Sequence, residues 1–163
     1  MNRQILFLVG SDKTAGWMTS LLQMKGYRAL GISNGLDALR KVQEEKPDLL
    51  IIDTFLPGLD GFEICHRLRL VPQTANIPVI IISSRPDSND RQTAQNVGAN
   101  AYLAKPFKAS ELMNTITSLL ADKKELERAE IRVPRMDDEL MRDVSMERSR
   151  KPRKKKLRPD YLL

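Results

Sequence analysis

Residues 46–69 read KPDLLIIDTFLPGLDGFEICHRLR. Leucines and isoleucines fill positions 49–52 without a polar break and run straight into Asp53. A strand with one wet face would alternate apolar with polar residues. An unbroken run is instead the pattern of a strand covered on both faces, as in a parallel sheet flanked by helices. Asp60 then opens an amphipathic segment over 60–69. Its own carboxylate serves as the cap, and Phe62, Cys65 and Leu68 form the apolar stripe. Pro47 ends whatever helix precedes the strand. Strand, loop and helix make one unit of a doubly wound fold. Asp53 stands at the carboxyl end of the strand, where such folds hold their ligands.

The same alternation extends in both directions. Strands are expected over 5–9, 28–32, 49–53, 78–82 and 101–104, and helices over 14–25, 35–45, 60–69, 89–97 and 110–121. The expected inward faces are Trp17, Met18, Leu21 and Leu22 on the first helix and Leu36, Leu39 and Val42 on the second. On the last they are Leu112, Ile116, Leu119 and Leu120. Gly26 and Gly98 close helices. Five strands alternating with five helices predict an α/β fold, a doubly wound five-stranded parallel sheet with helices on both faces.

Composition bounds the function. At 163 residues with 41% hydrophobic content, the chain can bury one aliphatic core. No apolar run is long enough to span a bilayer or serve as a signal peptide. One cysteine, Cys65, cannot form an internal disulfide, so a reducing, cytoplasmic setting is expected. The net charge of +6 is unevenly placed, with +2 over 1–121 and +4 over 122–163. The expected organisation is a domain over 1–121, a candidate extension of the last helix over 122–133, and a basic, disordered tail over 134–163. Leu112, Leu119, Leu126 and Val133 recur every seven residues, but Lys123 and Glu130 interrupt the complementary positions, so only half a coiled-coil seam exists. The tail carries RSRKPRKKKLR, whose cations are Arg148, Arg150, Lys151, Arg153, Lys154, Lys155, Lys156 and Arg158. No aromatics are interleaved, which argues against base stacking. Contact with nucleic-acid phosphates, an anionic lipid surface or an acidic protein face fits this composition, as does a simple solubilising role. The tail is too short for a winged helix.

Three strand ends carry matching chemistry. Asp53 offers a carboxylate, Ser83 a hydroxyl, and Lys105 an ammonium before the turn-setting Pro106. Together in one crevice they suit phosphoryl chemistry: the carboxylate attacks phosphorus, and the hydroxyl and ammonium hold phosphoryl oxygens. The competing reading of Asp53 is a plain turn cap. A haloacid-dehalogenase-type phosphatase would need a second Asp two residues on, where Phe55 stands, and GSDKTAG is poor in the Ser/Thr of a flavodoxin phosphate loop. His66, the only histidine, is expected on an exposed helix position, and Cys65 as a small core residue.

KPDLLIIDTFLPGLDGFEICHRLR, IPVIIISS (77–84) and VGANAYLAKPF (97–107) together make residues 3–121 resemble the receiver domain of bacterial response regulators. The resemblance implies a flavodoxin-like strand order 2-1-3-4-5 and a two-component signalling role. Asp53 matches the phosphate-accepting aspartate, Ser83 the hydroxyl that moves onto the phosphoryl group, and Lys105 the lysine that pairs with it. Tyr102 matches the aromatic that reports the state, Lys105-Pro106 the cis turn, and Leu59-Asp60-Gly61, with Gly58 before it, the turn after the nucleophile. The implied partners are a histidine kinase or phosphotransfer protein and a downstream protein, with no enzymatic activity beyond self-catalysed phosphoryl transfer.

The first strand departs from that pattern. Receivers carry two acids at its end to hold Mg²⁺, but ILFLVGSDK (5–13) places Val9 and Gly10, or Gly10 and Ser11, there. Asp12 is the nearest acid. Mg²⁺ needs several hard oxygen ligands, so at most a weak Mg²⁺ site is expected at Asp53, with Asp12 as its second carboxylate. Gly10-Ser11 is either a simple turn or a backbone cradle for an anion. Three functions follow as expectations: a switch phosphorylated at Asp53, a phosphorylation-independent adaptor, and a nucleic-acid-associated regulator acting through the tail.

Overall fold

The computed structural model describes residues 3–56, 60–84 and 88–132. The unbroken apolar runs become the two central strands, β3 (Leu49–Asp53) and β4 (Val79–Ser83), with every residue buried. They are flanked by β1 (Gln4–Leu8), β2 (Arg28–Ile32) and β5 (Ala101–Ala104) in an all-parallel sheet of order β2-β1-β3-β4-β5. The helices between them are α1 (Asp12–Met24), α2 (Gly35–Glu45), α3 (Gly61–Leu70), α4 (Ser88–Asn96) and α5 (Ala109–Arg132).

Successive strand residues face opposite sides of a sheet, so the fold has two cores. Ile5, Phe7, Leu49, Ile51, Ile80 and Ile82 face α1 and α5, meeting Met18, Leu22, Leu112 and Ile116. Leu6, Leu8, Leu50, Ile52, Val79 and Ile81 face α2, α3 and α4, meeting Val42, Ile64, Leu68 and Ala94. Cys65 is fully buried in the second core. His66 is exposed.

Three local expectations are corrected. The first helix starts at Asp12 rather than 14, because the Ser11 side chain accepts from the Thr14 N–H and caps it. Leu36 is 70% exposed, not inward. The buried line of α2 is Gly35, Ala38 and Val42, offset by one residue from the leucine spacing, with Leu39 only packed against the core edge. Trp17 is 42% exposed, and its ring leans on Phe107 with centroids 6.0 Å apart instead of entering the core.

The far end of α3 is tied down by one side chain. Arg69 donates to the carbonyls of Ala75 (3.0 Å) and Ile77 (2.8 Å), to that of Gly98 (3.0 Å), and to Asn100 Oδ1 (2.8 Å). Gly98 has φ +92°, and a Cβ there would press on the Arg69 chain, so glycine is required twice over. The last helix runs on to Arg132, past 121, and Lys123 reaches back to Asp48 at 3.4 Å. The expected tail, residues 134–163, and Val133 lie outside the described residues, as do Gly58 and Leu59. No helix among the described residues is long and apolar enough to cross a membrane.

Candidate functional site

Register places the site. Leu8 stands opposite Ile52, so Val9 and Gly10 reach the level of Asp53, and Asp53 stands opposite Ile82 of β4. Asp53 is 4% exposed. Its Oδ2 accepts from Lys105 Nζ at 2.6 Å and its Oδ1 from the Phe55 N–H at 3.0 Å. Lys105 follows a strand whose Leu103 faces α1 and α5, and one more alternation turns the lysine to the same side as Asp53. The Lys105–Pro106 peptide is cis. The Lys105 N–H donates to the Ser83 carbonyl at 2.7 Å, which fixes the turn to the end of β4. Gly61 opens α3 directly beneath: a Cβ there would overlap the Asp53 carbonyl oxygen, so only glycine lets the helix start this close.

A cavity of about 460 Å³ opens above the carboxylate, lined by Gly10, Ser11, Asp53, Phe55, Leu56, Ser84 and Lys105. The predicted residues divide around it. Asp53 and Lys105 meet within it. Ser83 does not line it, because alternation from Val79 and Ile81 turns its side chain to the α4 side. There the fully buried Ser83 Oγ donates to Asp90 Oδ2 and accepts from Thr54 Oγ1 at 3.4 Å. Ser84, one residue on, is the hydroxyl that lines the cavity. Tyr102 shares the side of Ser83 and is 5% exposed, its hydroxyl donating to Asp90 Oδ2 at 3.2 Å. Burial first, and Asp90 after it, hold the phenol above its ordinary pKa.

Asp12 is turned away. It lines a separate hollow beside α1, with Phe7, Val9 and Gly31. The cavity therefore offers a divalent ion one carboxylate, already engaged by Lys105. Among the described residues no group of three acids, histidines or cysteines is placed to hold a metal. This donor set does not fit a dedicated Mg²⁺ site. Sequence reasoning missed Asp90, Thr54 and Ser84. The alternation of β4 was the available signal for Ser83 and Ser84; for Asp90, an acid on a polar helix, spacing gives none.

Residues 11–117 match the family model of the response regulator receiver domain. Protein PilH of Pseudomonas aeruginosa is 35% identical over 118 residues, covering 72% of this chain and 98% of that protein. The phosphate regulon transcriptional regulatory protein PhoB of Rhizobium meliloti is 38% identical over 99 residues, covering 61% of this chain and 44% of that protein. The chain spans about half the length of the first curated transcriptional regulators that it matches. Among solved structures, the receiver domain of a sensor histidine kinase from Pseudomonas aeruginosa superimposes with a TM-score of 0.69 at 26% identity, over 74% of this chain and 99% of that one. That structure holds a magnesium ion coordinated in its active-site cleft.

Proposed function

The chain belongs to the response regulator receiver family of two-component signalling, and from that membership we propose that Asp53 accepts a phosphoryl group. The observation that carries this reading is the Asp53–Lys105 pair, 2.6 Å apart at the floor of an open cavity. A carboxylate oxygen attacks phosphorus, the bond from phosphorus to the donor's leaving atom breaks, and an acyl phosphate forms on Asp53. Lys105 then exchanges the carboxylate for a phosphoryl oxygen, so the site keeps its cation beside the added negative charge. The donor is a histidine kinase, a phosphotransfer protein or a small acyl phosphate, and the output is a protein contact. Ser84 lines the rim, and the buried Ser83 hydroxyl at the end of β4 turns from the α4 side onto a phosphoryl oxygen.

Gly10 and Ser11 in the cavity wall support a second reading, a receiver that acts as an adaptor without phosphorylation. One experiment separates the two. Wild type and Asp53→Asn are incubated with acetyl phosphate over a Mg²⁺ series and weighed intact. A single phosphoryl adduct on wild type alone, needing far more metal than an ordinary receiver, is the expected result. No adduct at any metal concentration overturns the phosphoacceptor reading in favour of the adaptor.

A further inference from the structure

Two side chains on the α4 side of the sheet end on the same atom. Ser83 Oγ and Tyr102 Oη both donate to Asp90 Oδ2. The next residue, Arg91, lays its guanidinium carbon 5.0 Å from the centre of the Tyr102 ring, within cation–π range. Consecutive residues in the first turn of α4 thus grip both Ser83 and Tyr102. The other end of α4 is held by a separate device, the Arg69 bonds to Gly98 and Asn100.

The chemistry of Ser83 makes this a choice between partners. A serine hydroxyl has one hydrogen to donate. While that hydrogen lies on Asp90, it is not available to a phosphoryl oxygen above Asp53. Ser83 is fully buried, so an unmade bond would carry the full desolvation cost, and the hydroxyl must have an acceptor in either arrangement. Both acceptors are anionic oxygens, so the exchange trades one charge-assisted bond for another and the two arrangements stay close in energy. Tyr102, bonded to the same carboxylate oxygen, gains or loses a competitor when Ser83 moves.

We propose that Asp90 is a positioning residue that holds Ser83 and Tyr102 on α4 in the unphosphorylated protein, and that capture of Ser83 by a phosphoryl group frees the first turn of α4 from the sheet. The proposal rests on the phosphoacceptor reading of Asp53 for its trigger, but its unphosphorylated half stands on the contacts alone. Release begins at the end of α4 nearest the site, because Arg69 keeps the Gly98 end in place.

The test uses the full chain as wild type, Asp90→Ala and the near-isosteric Asp90→Asn. Amide hydrogen exchange is followed first, without any phosphoryl group. Losing the anchor accelerates exchange about tenfold over 88–94 in Asp90→Ala, with a smaller effect in Asp90→Asn and none at 98–100. Unchanged exchange over 88–94 overturns the proposal. So does acceleration spread evenly to the Gly98 end, which would make Asp90 an ordinary packing residue. Beryllofluoride, a phosphoryl mimic, is then titrated calorimetrically. Asp90→Ala should bind it about tenfold more tightly than wild type, since Ser83 no longer has to leave a charged partner. Equal affinity in the two proteins overturns the coupling. Absence of binding to either protein overturns the phosphoacceptor reading, while the exchange result still decides whether Asp90 anchors α4.

Discussion

Cys65 shows how far one buried side chain can govern behaviour. Its Sγ donates to the Val97 carbonyl at 3.4 Å, and burial pushes the thiol from 9.0 up to about 11, with Arg69 pulling weakly the other way. A folded pKa above the unfolded one contributes stability that is complete below about pH 9. It is lost as pH rises through 11. Two pKa units correspond to roughly 2–3 kcal/mol. Unfolding free energies from urea titrations at pH 8 and pH 11 should therefore differ by about that amount, and Cys65→Ala should remove most of the difference while Tyr102 keeps a part of the same sign. The same thiol should resist disulfide reagents in the native state at pH 8. At this scale the sequence is unevenly informative. Asp53 and Lys105 are legible because packing alone seldom puts a charged residue at the end of an apolar strand. The orientation of Ser83 follows from counting alternation along β4, a step that strand-end chemistry alone omits. Asp90 is not legible, since nothing in the polar stretch of α4 marks its one acid as turning toward the sheet.

At the scale of elements, Arg69 joins the end of α3 to the segments that lead into β4 and β5. It carries its charge in a partly dry setting, where burial lowers its pKa, and backbone carbonyls rather than a carboxylate answer its donors. Arg69→Met keeps the length of the stem but leaves those carbonyls without their donor. It should cost about 3–5 kcal/mol in denaturant unfolding, with hydrogen exchange rising at the end of α3, the start of β4 and the Gly98 turn. The five strands are readable because buried parallel strands leave continuous runs. Helix faces are less so. In α2 the leucine spacing and the true buried line share Val42 and differ by one position elsewhere, and hydrophobic periodicity alone does not choose between such lines. The start of α1 depends on a cap, Ser11, in the stretch where a receiver ordinarily carries its metal-binding acids. The length of α5 depends on more than its apolar stripe: beyond Leu120 the helix continues, with an ion pair from Lys123 to Asp48.

At the scale of the whole molecule, charge is the property most directly fixed by composition. Eight of the cations lie in 148–158, where there is no acid, so deleting that stretch takes the net charge from +6 to −2. Wild type should be retained on a cation exchanger at pH 7 and the deletion should flow through. If the stretch also binds duplex DNA, the full chain should show an affinity that the deletion lacks, falling with salt on a log–log slope no steeper than about −7. Binding that survives the deletion would place the contact elsewhere. The packing of Trp17 against Phe107 has a practical consequence of its own. The chain has one tryptophan, and its ring rests on the segment that leaves the Lys105–Pro106 turn. Its emission is a built-in optical gauge of the loop carrying the site's cation, readable in the native sequence with no label attached.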